Sequence, residues 1–354
     1  MRKILIVGDY PPPYGGVSVP VAALRHHLAS RRDSDVRVLD IGVRRTERRP
    51  GCLPVTGALD FVVKLLRQAA RGYTIHVHTN GHNVKSWVVV ALCVAAGLRA
   101  PRRTVVSLGS GAMPAFLARS GATVRALVRA SAAGAGAFIV CNTSARAALI
   151  AQGVAPRTVA ILPWFYGVAR EEVGRIPDAV STFRETHAPL IGAMATVGPE
   201  YGISLLIDAA ARLRPRYPRL GVVLMGADRF DDGLPRWALP LGELHRPELL
   251  ATLRALDVFV RPTYFDGDAV SIREAFALGV RVVASDTAFR PDGARLFPRG
   301  DADALAAAVD QALAAPATRV DSTALPALLA LYDSLPSRRA SAPPQPVTES
   351  ARLG

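Results

Sequence analysis

The chain has 354 residues, half of them apolar, with a mean hydropathy of +0.22, enough for two globular domains that each bury a core. Its formal net charge of +14 is unevenly spread: residues 1–160 hold 22 Lys and Arg against 6 Asp and Glu, and the remainder hold 21 against 23. An anionic partner for the first half follows, a lipid surface or a phosphorylated acceptor, although a solvated arginine face is the plainer reading, since 40 of the 43 basic residues are Arg. Nucleic acid is set aside, because no stacking aromatics interleave the arginine clusters and no recognition module is visible.

The start, MRKILIVGDY, reads as a buried first strand rather than a leader, because its apolar core is only ILIV and then meets Asp9. Strand-like runs KILIVGD, VRVLDIG, TIHVHT, TVVSLGS, AFIVCN and TVAILP follow in turn, separated by helical segments such as VPVAALRHHLASR and ALDFVVKLLRQAAR. The longest apolar stretch, residues 87–98, is too short to span a bilayer. The pattern breaks at a polar, proline-flanked stretch, then restarts with PLIGAMA, GVVLMGA, VFVRPT and RVVASD, again alternating with helices. The three cysteines, Cys52, Cys93 and Cys141, are far apart and form no C-x-x-C pair, which fits a reduced cytosol.

The predicted fold is α/β, two tandem Rossmann-like domains facing a cleft: residues 1–165, a linker at 166–188, a second domain at 189–315, a C-terminal helix at 316–335 packing back on the first domain, and a disordered tail at 336–354. In such folds ligands bind at the carboxyl ends of the strands, so functional residues are sought just after strands. Gly15 and Gly16 follow the first strand and open a helix, where backbone can approach a ligand closely, or where a tight turn needs glycine. The turn is neither G-x-G-x-x-G nor a Walker loop, which removes the main support for nicotinamide-dinucleotide or ATP binding. HVHTNGH supplies His78, Asn80 and His82 as hydrogen-bonding or proton-handling groups, whereas a metal role for the histidines lacks a completing carboxylate or thiolate. Gly109 and Ser110 form a flexible turn after the fourth strand.

The most informative stretch is YFDGDAVSIREAFALG, residues 264–279. It admits three readings: an Asp-x-Asp metal clamp, a phosphate-binding turn that opens a helix, or a polar loop before a core helix. The first N–H groups of the helix have no internal partners and suit a diphosphate, Asp266 can accept from sugar hydroxyls, and Glu274, about one turn inside, from those of a ribose. Acids in a first helical turn are also stabilised by the helix dipole whatever their function.

These residues resemble the GT-B glycosyltransferases of family 4, in which an acid, a glycine-containing loop and a glutamate eight residues on precede A-x-x-x-G-x-P-V-V-A-S-D. Here DGDAVSIREAFALGVRVVASD has Asp266 for the first acid, Glu274 kept and Arg281 for the proline. The likeness extends through GELHRPELLATLRALDVFVRPT, PRGDADALAAAVDQAL, the Gly15-Gly16 turn, HVHTNG and GVAPRTVAILPWF, roughly residues 1–333. It implies retaining transfer of a sugar from a nucleoside-diphosphate sugar, with no metal or other cofactor. The diphosphate would lie on the backbone of Gly267, Asp268, Ala269 and Val270. Glu274 would hold the ribose and Asp266 the donor sugar, with Asp268 a loop residue or helix cap. The acceptor, a glycan or lipid-diphosphate-linked glycan of bacterial surface polysaccharide assembly, would enter over Gly15, Gly16, Asn80, Gly109 and Ser110, with the enzyme cytoplasmic and peripheral on the inner face of the plasma membrane. Two departures stand out. Thr196 and Tyr201 occupy about the places of the arginine and lysine that usually face the diphosphate, leaving Arg261 and Arg273 as the nearest cations in sequence. Gly109 stands where many relatives carry a histidine, a role that His78 or His82 would take in part. The alternatives are a non-catalytic nucleotide-sugar binder acting as a complex partner, and a nucleotide-sugar epimerase, for which no acid and base are identifiable. The Asp-x-Asp clamp is the weakest of the three readings of 264–279, because such clamps belong to a one-domain architecture.

Overall fold

The computed structural model describes every residue except 1, 13, 43–48, 99–102, 196–197, 227–232, 267, 288, 318, 321 and 337–354. Thr196, Gly267 and all but the first residue of the expected tail lie outside the described residues.

The first sheet is built from β1 (Arg2–Gly8), β2 (Ser34–Asp40), β3 (Cys52–Leu53), β4 (Thr74–Thr79), β5 (Thr104–Leu108), β6 (Ala135–Val140) and β7 (Val159–Ile161). Every pairing is parallel and the order is β3-β2-β1-β4-β5-β6-β7. The strands read as continuous apolar runs because both faces are covered. On one face lie α2 (Ala58–Ala70), α3 (Val84–Gly97), α5 (Ala122–Gly134) and α6 (Thr143–Ala151), meeting the sheet through Phe61, Trp87, Val128 and Leu149, with α4 (Met113–Arg119) tucked beside them. Asn83 and Asn142 cap α3 and α6 by accepting from the N–H groups of Ser86 and Ala145. On the other face α1 (Ser18–Ala29) packs with α12 (Leu325–Ser334), whose Leu328 and Tyr332 join Ile4, Ile6 and Leu24 in one core. Asp333 at the end of α12 accepts from Arg2 at 2.7 Å.

The second sheet comprises β8 (Leu190–Met194), β9 (Gly221–Met225), β10 (Ala238–Pro240), β11 (Val258–Arg261), β12 (Arg281–Ser285) and β13 (Arg295–Phe297), all parallel, in the order β10-β9-β8-β11-β12-β13. Helices α8 (Ile203–Leu213) and α11 (Ala302–Ala314) cover one face, and α9 (Arg246–Arg254) and α10 (Val270–Ala277) the other. The stretch read from sequence as linker contains a helix, α7 (Asp178–Thr186), whose Phe183 packs on the second domain's core. Its polar composition hid a short inward stripe, the buried Val180 and the half-buried Phe183.

In each sheet the strand order reverses once, between β1 and β4 and between β8 and β11. The carboxyl ends at these two switch points face each other, and there the ligand crevice of a doubly wound sheet is expected.

Candidate functional site

A cavity of about 340 Å³ lies between the two switch points. Gly15, Gly16, Asn80 and Gly109 line it from the first domain, and Tyr201, Arg261, Asp266, Asp268, Ala269, Val270 and Glu274 from the second. A larger hollow, about 670 Å³, opens at the amino ends of β12 and β13, away from both switch points, and is lined by Phe276, Arg281 and Leu296 with no acid among the described residues.

The turn that opens α10 is arranged as an anion site. No side chain caps this end, and the N–H groups of Val270 and Ser271 have no protein acceptor among the described residues. Arg261 ends β11 beside it. Its Nε donates to Asp266 Oδ2 at 2.9 Å, while its terminal amino groups have no partner among the described residues. Asp266 Oδ2 also accepts from Arg290 Nη1 at 2.7 Å, and Arg290 is held in turn by Ser285 and Thr263. Burial alone would raise the Asp266 carboxyl, but the two guanidiniums outweigh it and hold Asp266 below the usual carboxylate range.

Glu274 is buried on the wall formed by α10. Its Oε1 accepts from Arg246 Nη1 at 2.7 Å, and Oε2 has no partner among the described residues. Arg246, the first residue of α9, also lines the cavity, and its buried Nε stands 3.8 Å from Glu172, outside hydrogen-bond reach. Although burial opposes its charge, the adjacent Glu274 carboxylate keeps the Arg246 guanidinium firmly protonated.

Five residues read from the sequence need comment: Arg273, His78, His82 and Ser110 do not line the cavity, and Asp268 is a loop residue. Arg273 is buried, pairs with Asp268 (Nε to Oδ1, 2.7 Å) and does not line the cavity, so it offers no cation to a phosphate there. Asp268 does not cap α10; burial raises its carboxyl, which Arg273 only partly offsets, and its Oδ2 has no hydrogen-bond partner among the described residues. Because Asp266 and Asp268 turn to different arginines, they form no two-acid clamp. His78 is buried against His76, Trp164 and Tyr166, with both ring nitrogens unpaired among the described residues, and burial lowers it to about 3. A neutral ring sealed behind Trp164 handles no proton in the cleft. His82 faces a separate hollow of about 250 Å³ beside α4, its Nδ1 2.8 Å from the Ser110 hydroxyl, and neither residue lines the cleft cavity.

The glycines divide into two kinds. A Cβ at Gly16 would meet nothing within 4 Å, and one at Gly15 only Ser18 Oγ at 3.9 Å, and neither has a positive φ. The fold does not demand glycine there; what glycine supplies is open space over the cavity. Gly109 is different, since its Cβ would stand 2.5 Å from the Trp164 ring, which itself lines the cavity. Trp164 thus occupies the place that a side chain at 109 would take. On the opposite wall, Tyr201 is positioned by a short turn tied to the β11 loop through Tyr264 N–H to Glu200 O, 2.8 Å, and by Gly202, whose φ of 69° and approach to Pro262 O exclude a side chain.

Tyr14, Trp164, Arg246 and Arg290 were missed from sequence. All four follow a strand: β1, β7, β10 and β12. Position after a strand was the signal, available for the three strands read from sequence, whereas β10 has three residues and shows no period.

Comparison with known proteins matches residues 188–315 to the glycosyl transferases group 1 family model. The second domain is a group 1 glycosyltransferase domain. The phosphatidyl-myo-inositol mannosyltransferase of Mycolicibacterium smegmatis is 28% identical over 171 residues, 41% of this chain and 44% of that protein, so the alignment spans less than half of the relative. Among solved structures, Anabaena HepE in complex with UDP and glucose superposes with a TM-score of 0.65 at 19% identity, covering 95% of this chain and 100% of that one. Sucrose-phosphate synthase from Thermosynechococcus elongatus gives 0.61 at 19% identity over 94% and 96%. At these identities the superpositions show the fold, which is GT-B: two Rossmann-like domains around the cleft.

Proposed function

We propose that the chain is a retaining glycosyltransferase that moves a sugar from a nucleoside-diphosphate sugar to a glycan or lipid-diphosphate-linked acceptor in bacterial surface polysaccharide assembly. One observation carries this reading: the uncapped N-terminus of α10, the free edge of Arg261, Asp266 and the unpaired Oε2 of Glu274 converge on one cavity opposite the open Gly15–Gly16 loop. The diphosphate lies on the α10 N–H groups and Arg261. Ribose hydroxyls donate to Glu274 Oε2, which Arg246 orients through Oε1. Asp266, kept ionised by its arginines, meets the donor sugar. As the glycosidic bond breaks, negative charge grows on the diphosphate, and donors already fixed in place stabilise it without reorganising. The acceptor hydroxyl approaches over Gly15, Gly16 and Asn80.

No metal has a role in this reading, because the acids beside the diphosphate are neutralised by arginine. The absence of charge at Tyr201 favours Arg261 as the principal cation. The basic first half supports a peripheral, inner-face location on an anionic membrane. A thermal-shift screen against UDP-, GDP- and ADP-sugars tests the donor site: one family should raise the midpoint, and Glu274→Ala should abolish the rise. Release of nucleoside diphosphate with an acceptor separates the transferase from a non-catalytic binder, which would bind tightly and release nothing.

A further inference from the structure

Seven of the eleven exposed large apolar side chains among the described residues fall in one region of the first domain: Leu59, Val63 and Leu66 on α2, Val84, Val88 and Leu92 on α3, and Leu98 just after it. The spacing on α2 is i, i+4, i+7 and on α3 i, i+4, i+8, so each set forms one stripe. The two helices pack side by side. Both belong to crossovers of a parallel sheet, so they run in the same direction, with Leu59 and Val84 at the carboxyl, cleft-facing edge. The inward faces are already used: Phe61 and Leu65 on α2, and Trp87, Val90 and Val94 on α3, fill the core. The outward stripes are therefore surplus apolar surface, and a contiguous patch of this kind marks a docking site.

Charge indicates what covers it. Residues 58–134 contain ten Lys and Arg against one acid, Asp60, which is itself paired with Lys64 at 2.7 Å. Arg67, Arg71 and Lys85 flank the stripes and are exposed, as are Arg125 and Arg129 on the neighbouring α5. A second copy of the chain would bring the same positive rim against this one. An anionic bilayer matches both the apolar centre and the basic rim. Among the described residues no helix is long and apolar enough to cross a membrane, so the contact is with the surface.

We propose that the outward face of α2 and α3 docks the first domain onto an anionic membrane, with the cleft opening alongside the bilayer. This deepens the proposed transfer and rests on it only for the origin of the acceptor; the docking itself is independent of the donor site. Flotation of the full chain with vesicles of phosphatidylcholine, alone or mixed with phosphatidylglycerol, tests it. Binding should require phosphatidylglycerol and weaken with salt. Val63→Asp/Val88→Asp, at two exposed positions, should reduce it about tenfold or more, and Arg67→Glu/Arg71→Glu by a similar factor on the anionic vesicles alone. Unchanged thermal midpoints and UDP binding would show that both variants fold and keep their cleft. Equal binding to both vesicle types, or no loss in the aspartate variant, overturns the proposal. Concentration-dependent dimerisation abolished by that variant, without vesicle binding, assigns the face to a second copy instead.

Discussion

Where the first domain meets the cleft it offers Gly15, Gly16, Gly109, the Asn80 amide and the rings of Tyr14 and Trp164, with no charged group among the described residues; where the second meets it, Arg246, Arg261, Asp266 and Glu274 present charges already paired and aimed. Yet the first half of the chain carries all of the net positive charge. None of its described cations lines that cavity, and ten of the 22 Lys and Arg of residues 1–160 fall between residues 58 and 134, the stretch that holds α2, α3 and α5. The contrast separates two tasks. The second domain holds a ligand of fixed charge pattern through preset side chains, whereas the first leaves room for a variable one.

Four experiments would break or sharpen that division. Arg246→Ala should destabilise the second domain by roughly 3–5 kcal/mol, because it strands the buried Glu274 carboxylate, a drop visible in chemical denaturation. Arg261→Ala should lower kcat/KM with the donor sugar by about 10²–10³, equivalent to losing one fixed donor from a developing oxyanion, or roughly 2.7–4 kcal/mol. An effect below tenfold would move the diphosphate away from this residue. Gly109→Ala should cost about 1–3 kcal/mol of stability through overpacking against Trp164, read from the denaturation midpoint, while Gly16→Ala should leave stability unchanged and impair only acceptor use. The smallest effect is a pH dependence. His76 and His78 are buried and held below their ordinary value, so the unfolded chain takes up protons that the folded chain does not. Stability is then complete above about pH 6.5 and falls as pH drops below it, by roughly 1.4 kcal/mol per unit for each histidine. His78→Leu should halve that slope.

Much of this arrangement was legible in the sequence. Apolar runs marked the long strands, and position after a strand pointed to Gly15, Asn80, Gly109, Arg261 and Asp266, all of which line one cavity. Strands β3, β10 and β13 escaped because two or three residues carry no period. His78 misled for a different reason. Residues 76 and 78 share one face of a central strand, and what covers it comes from far along the chain: Trp164 and Tyr166 lie against His78, and the Tyr332 hydroxyl lies 2.5 Å from His76 Nδ1. Arg273 misled because its partner, Asp268, read as a loop residue or helix cap rather than as one half of an ion pair. Sequence spacing identified which residues reach the cleft edge, but not which of them are already paired.

The central claim is that one donor nucleotide sits between Glu274 and Arg261. Its most direct test is calorimetric titration of UDP and GDP into the wild-type chain, Glu274→Gln and Arg261→Ala. One nucleotide should bind the wild type, with affinity reduced about tenfold or more in each variant; binding that survives both substitutions undiminished would place the donor elsewhere and contradict the account.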